Sequence, residues 1–194
     1  MDPDLLLETA DRCRELGIAC VADECFLGFL PDAEERSLIP RLKEYPELIV
    51  LRAITKLYAV PGLRLGCALT GNAELAGRMR ESVSEWNVSI PAQQAGLAAL
   101  KETEYVSRVR ELIRTERPFL EQGLKNLGFE VYSGEANFLF FASDADLYGP
   151  LLERGILIRS WGIQPGTGRF LFRTAVRTRE DNSRLLRTIR EITG

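Results

Sequence analysis

Apolar positions recur along the chain in two rhythms, one helical and one extended. Leu5, Leu6, Ala10 and Cys13 fall at helical spacing, Asp2 can cap the run, and Gly17 stops it. The pattern predicts an amphipathic helix over residues 3–16. Residues 18–22 follow as a short buried strand closed by Asp23-Glu24. A helix is predicted over 34–45, a second buried strand over 48–52, and a third over 65–69 after the Pro61-Gly62 turn. Strands alternating with helices point to an α/β layer with mostly parallel strands. From Asn72 to Leu127 the rhythm is helical: 73–82, then 91–101 with Pro91 in its first turn, then a long charged helix over 105–127, bent near Pro118. Beyond Gly128 short strands are predicted at 130–132, 137–141, 156–159 and 169–176. A helix over 146–154 sits among them and another over 179–192 closes the chain, so this part reads as α+β.

The pattern divides the chain at residues 1–100 and 101–194, with the long helix bridging the two. Three strands are few for a parallel layer covered by helices. The first helix begins with no strand before it, so the chain is expected to enter a larger fold midway.

Composition narrows the classes. Apolar residues make up 45% and charged residues 27% of 194, and the net charge is −3. These values describe a soluble globular chain with no electrostatic footprint for nucleic acid. No apolar run is long enough to cross a membrane, and residues 1–4 do not open a signal peptide. A cytoplasmic protein is expected. Cys13, Cys20, Cys25 and Cys67 show no C-x-x-C spacing, and histidine is absent. Reduced thiols are the expectation, and no metal site is. Without histidine, the Ser-His and Cys-His nucleophile schemes fall away. A lysine, a carboxylate or a bound cofactor is left to carry any chemistry.

Three segments hold such groups. The first is Leu51-Arg-Ala-Ile-Thr-Lys56-Leu-Tyr-Ala-Val-Pro-Gly-Leu-Arg64-Leu-Gly66. Lys56 follows a buried strand that can hold it close to its partners, and a lysine amine can attack an aldehyde to form a Schiff base. Arg64 lies past a Pro-Gly turn and can return to bind a phosphate. A lone lysine is otherwise a solvated charge far more often than a nucleophile. The second segment is Val21-Ala-Asp23-Glu24-Cys25-Phe26. Asp23 ends a strand, where α/β sheets bind ligands, and where a turn or cap residue also belongs. The third is Phe170-Leu-Phe-Arg173-Thr-Ala-Val-Arg177. Arg173 sits inside an apolar strand and needs an anionic partner. Arg177 reads equally as a ligand group and as a solvent-facing arginine.

Together these segments closely resemble fold-type I pyridoxal-phosphate (PLP) enzymes, the class I/II aminotransferases. The branch resembled is that of histidinol-phosphate aminotransferases and threonine-phosphate decarboxylases of cobalamin synthesis. The resemblance runs over essentially all 194 residues. It implies the C-terminal part of a PLP-transferase large domain, a mostly parallel sheet with helices, followed by a small α+β domain. It implies that Lys56 carries the cofactor as a Schiff base, with Thr55 beside it, that Arg64 binds its phosphate, and that Asp23 pairs with its ring nitrogen. Phe26 stands where other branches have a tyrosine, and Ala53 where the family has a phosphate-binding serine. Losing that hydrogen bond to an anion costs about 1.5–3 kcal/mol. Arg173 falls on the substrate-carboxylate arginine. Arg159, Arg177 and Asn87 (in Glu85-Trp86-Asn87-Val88-Ser89) join it as substrate-binding positions. Arg177 followed by Thr178, with Ile156-Leu-Ile-Arg159, leans toward the decarboxylase-like subgroup.

The family's N-terminal region has no counterpart in this chain. A small-molecule amino acid or amino-phosphate substrate and a homodimer are implied, with no nucleic-acid or membrane partner. The alternative is a non-catalytic fragment of this fold that self-associates and binds PLP weakly or not at all.

Overall fold

The computed structural model describes residues 3–194, so the expected Asp2 cap lies outside it. The chain divides into two compact units, Met1–Ser107 and Arg108–Gly194.

In the first unit, helix α1 (Pro3–Leu16) precedes strand β1 (Cys20–Asp23). A single helical turn, α2 (Ala33–Arg36), leads to β2 (Leu48–Ala53). Another single turn, α3 (Ile54–Leu57), and β3 (Gly66–Thr70) follow. Helices α4 (Ala73–Glu81) and α5 (Ile90–Ala99) complete the unit. Ala10, Ala22, Leu38, Leu42, Tyr45, Leu48 and Val50 form its core. Leu6 and Leu7 of α1 pack against that core, whereas Leu5, expected on the buried stripe, is solvent-exposed.

Two expectations change here. The α/β character holds, but the three-stranded sheet β1-β2-β3 pairs once parallel (β1 with β2) and once antiparallel (β2 with β3). The link from β2 to β3 carries only a single helical turn and a 3-10 turn at Pro61–Leu63. A parallel crossover usually runs through a full helix that packs on the sheet, and this link, which has none, folds straight back. The helix expected over 34–45 is also interrupted. Beyond α2 it is reduced to a 3-10 turn at Ile39–Arg41. Ser37 is extended (φ −73°, ψ 138°), and the Leu38 N–H is taken by the Glu24 carboxylate at 2.7 Å. Pro40 has no N–H with which to continue a helix.

Helix α6 (Thr103–Asn126) continues through Pro118. The second unit then builds a four-stranded antiparallel sheet in the order β4-β5-β7-β6. The strands are β4 (Glu130–Tyr132), β5 (Phe138–Ser143), β6 (Arg159–Ile163) and β7 (Phe170–Ala175). Helices α7 (Tyr148–Glu153) and α8 (Arg179–Thr193) accompany them. Leu139, Phe141 and Phe172 project from one sheet face into a core shared with Leu120, Leu124, Leu151, Leu185 and Ile189. Each such fully buried side chain contributes about 1.5–3 kcal/mol. The strand expected at 156–159 begins only at Arg159. Gly155 (φ 72°) ends the α7 turn in a left-handed conformation, and the Ile156 N–H turns back to the Leu151 carbonyl.

Candidate functional site

The parallel pairing of β1 with β2, Asp23 opposite Leu51, brings the C-terminal ends of both strands side by side. Asp23 ends β1 and Lys56 sits in the α3 turn that leaves β2. Arg64 lies just ahead of β3, with φ 51° and ψ 47°, a left-handed conformation uncommon outside glycine. The register Ala53↔Gly66 and the hydrogen bond from Ile54 N–H to the Leu65 carbonyl return Arg64 to the turn that holds Lys56. Gly66 allows this return. A Cβ there would lie 2.8 Å from the Arg52 carbonyl oxygen. The fold thus gathers an amine, a carboxylate and a guanidinium at one end of the sheet.

Lys56 is exposed, and its Nζ lies 5.7 Å from the centre of the Phe26 ring. Phe26 in turn stacks on the buried Phe29. The Asp23 carboxylate accepts the Cys25 N–H at 2.9 Å. Hydrogen bonds from the Cys25 thiol and then its backbone hold the Asp23 carboxyl below the usual range. The Cys25 thiol is pushed up to about 11 by burial and by Asp23, with Lys56 acting in the opposite direction. Arg64 donates to the Pro61 carbonyl at 3.2 Å and has no carboxylate partner among the described residues. Thr55 is buried. Ala53 stands at the N-cap of α3 and makes no side-chain hydrogen bond there. Asn87 is exposed, beside Trp86 (φ 61°) and ahead of Ser89, which caps α5.

These groups fit pyridoxal phosphate by their chemistry: an accessible amine, an ionised carboxylate and a guanidinium free of carboxylates. The fit lacks two polar contacts, the hydroxyls that serine in place of Ala53 and tyrosine in place of Phe26 would bring.

In the second unit, Arg173 of β7 and Arg159 of β6 are direct cross-strand partners. Like charges placed opposite each other repel. Aromatic faces offset part of that repulsion. The Arg173 guanidinium lies 4.8 Å from the Phe138 ring centre and 5.9 Å from that of Trp161, and Arg159 lies 5.9 Å from Trp161. Neither arginine has a carboxylate partner among the described residues, so the pair presents two unneutralised cations on one sheet face. Arg177 differs, because its Nε pairs with Asp181 at 2.8 Å. Its backbone exchanges two hydrogen bonds with Asn182, which also donates to Glu116 at 3.2 Å.

One cluster escapes a motif-based reading. Glu24 is 6% exposed and pairs with Arg52 at 2.8 Å, and both contact Ser37. The signal was present in Arg52, a charge ending the apolar run Leu48-Ile-Val-Leu, the same feature that marks Arg173.

The sequence profile of the family described as aminotransferase class I and II matches residues 1–189. The chain is 38% identical to the threonine-phosphate decarboxylase of Salmonella typhimurium over 192 residues, which is 97% of this chain and 52% of that protein. Among solved structures, the histidinol-phosphate aminotransferase of Clostridium acetobutylicum superposes with a TM-score of 0.90 at 28% identity, over 99% of this chain and 59% of that one. The histidinol-phosphate aminotransferase of Sinorhizobium meliloti, solved in complex with pyridoxal-5'-phosphate, shares the fold at 22% identity and a TM-score of 0.75, over 95% and 54% of the two chains. The chain spans about half the length of the curated relatives it matches.

Proposed function

The chain belongs to the class I and II aminotransferase family, whose cofactor is pyridoxal phosphate, and on that premise we propose that it carries the Lys56 half of a PLP site acting on a phosphorylated amino acid. The observation that carries this reading is the meeting of Asp23, Lys56 and Arg64 at one end of the first sheet. We assign residues 1–100 to the cofactor-binding part and 101–194 to the small domain.

Bound pyridoxal phosphate supplies an electron sink for negative charge developing at the substrate's Cα. Lys56 would hold the cofactor through its amine, and the same amine would be placed to move a proton at the substrate's Cα. Asp23, kept ionised by its Cys25 bonds, holds the proton on the ring nitrogen. Arg64 would pair with the phosphate, and Thr55 is buried in the α3 turn that carries Lys56. Phe26 contributes a ring contact beside Lys56. Arg173 binds the substrate carboxylate and Arg159 its phosphate, which gives each guanidinium an anion. Asn87 lines the site, while Arg177 shares its guanidinium with Asp181 through Nε. Likeness to the Salmonella enzyme supports breakage of the bond from Cα to the carboxylate. Likeness to the Clostridium enzyme supports breakage of the bond to hydrogen. The active form is a homodimer.

A second reading rests on one observation, that the chain spans about half the length of its relatives. In that reading the 194-residue chain is a non-catalytic fragment of the fold that self-associates and binds PLP weakly or not at all. One experiment separates the two. The purified chain is mixed with PLP, its visible spectrum recorded, the adduct reduced with borohydride, and the label mapped by mass spectrometry. A yellow band with label confined to Lys56 is expected. Label scattered over Lys43, Lys101 and Lys125 as well would sink the site assignment.

A further inference from the structure

Glu24 accepts two hydrogen bonds in a buried position, from the Leu38 N–H at 2.7 Å and the Ser37 hydroxyl at 2.8 Å, and forms an ion pair with Arg52 Nη2 at 2.8 Å. Arg52 Nη2 also donates to Ser37 Oγ at 2.9 Å. Its Nε is buried without a partner among the described residues. Stability alone is a poor reason for such a cluster, because a well-packed apolar pair serves as well as a buried ion pair or better. Its location supplies a different reason. Glu24 directly follows Asp23, and its own N–H extends the ladder by donating to the Leu51 carbonyl at 3.0 Å. Arg52 lies four residues before Lys56 on the neighbouring strand. The ion pair therefore ties together the two strand ends from which the candidate carboxylate and amine emerge. An ion pair braced by the directional hydrogen bonds of Ser37 and Leu38 fixes geometry in a way that an apolar contact, free to slide, does not.

We propose that Glu24 and Arg52 are positioning residues: their ion pair locks the ends of β1 and β2 together and fixes the separation of the Asp23 carboxylate from the Lys56 amine. The proposal takes its functional meaning from the cofactor reading above. Its structural content stands without that reading. A ligand that must touch both groups tolerates little play, since a misplacement of about 1 Å costs roughly a hundredfold in rate.

The test uses the full chain with Arg52→Ala, Arg52→Lys and Glu24→Gln. Arg52→Ala strands a buried carboxylate. The other two are milder and decide the matter if that variant does not fold. Amide hydrogen exchange without cofactor is the first readout. Roughly tenfold faster exchange is expected at Glu24 and Leu38, and also at Ile54 and Tyr58 flanking Lys56, with Leu139 and Phe172 unchanged. Normal rates at Ile54 and Tyr58 would overturn the proposal, because the cluster would then be local to Glu24. The second readout is PLP labelling trapped by borohydride. Selectivity for Lys56 is expected to fall roughly tenfold in Glu24→Gln and less in Arg52→Lys, which keeps the charge but not the planar guanidinium. If the variants label Lys56 as selectively as the parent, the positioning role fails while the cofactor reading stands. If the parent shows no selectivity, the cofactor reading fails, and the exchange rates still decide whether the pair holds the two strand ends.

Discussion

Cys25 shows how one side chain reports on the candidate site. Its thiol is both a hydrogen-bond donor to Asp23 and a neighbour of Lys56. Because burial, and then Asp23, push the folded thiol up to about 11, against about 8.5 for a free cysteine, the folded state holds this proton more tightly than the unfolded one. The sign follows from linkage. The contribution is complete below the unfolded value and is lost as pH rises through the folded one. Asp23→Asn removes both the charge and the charged acceptor, so the Cys25 titration is expected to move down toward the free value. Thiolate absorbance followed against pH checks this, and an unmoved midpoint would show that Asp23 does not hold the thiol. The Asp23 carboxyl is shifted the other way, to lower pH, so its contribution is present above the unfolded value and fades in acid.

At the scale of elements, the second unit's sheet has two unlike faces. Phe141 is fully buried, while Phe140, its neighbour on β5, lies on the face that carries Arg173 and Trp161. Phe141→Ala is expected to cost about 3–5 kcal/mol, the usual range for emptying a buried aromatic position. Phe140→Ala is expected to cost clearly less. Urea denaturation of the two variants measures the difference. Equal losses would contradict the assignment of the faces. The arginine face is the functional one in the reading above, so Phe140→Ala should disturb anion binding more than stability. The two sheets also show why element boundaries move. The residues 34–45 have helical spacing, yet Glu24 captures the Leu38 N–H and Pro40 interrupts the rest.

At the scale of the whole molecule, the first unit's sheet ends in two edge strands, β1 and β3, each without a further strand partner among the described residues. Val21 in β1 is 57% exposed, and Trp86 is 89% exposed. Open strand edges and exposed apolar side chains favour association. The chain is expected to self-associate in solution, and light scattering across a concentration series tests this. A monomer throughout the range would count against the proposed dimer. Among the described residues no helix is long and apolar enough to cross a membrane.

Much of this protein was legible in its sequence. The strand–helix alternation, the α+β character after Gly128 and the segments around Asp23, Lys56 and Arg173 depend on local periodicity and on residue types next to strands, and both are properties of short windows. The family emerged from those same segments. Tertiary structure alone decided the rest. The direction of β3 was set by how little helix its link contains, the break after α2 by a carboxylate thirteen to fourteen residues away in sequence, and the pairing of Arg159 with Arg173 by the register of two strands. The Glu24–Arg52 lock belongs to this second group. Its members are separated by a whole strand connection, and only folding brings two charges together that the linear pattern shows apart.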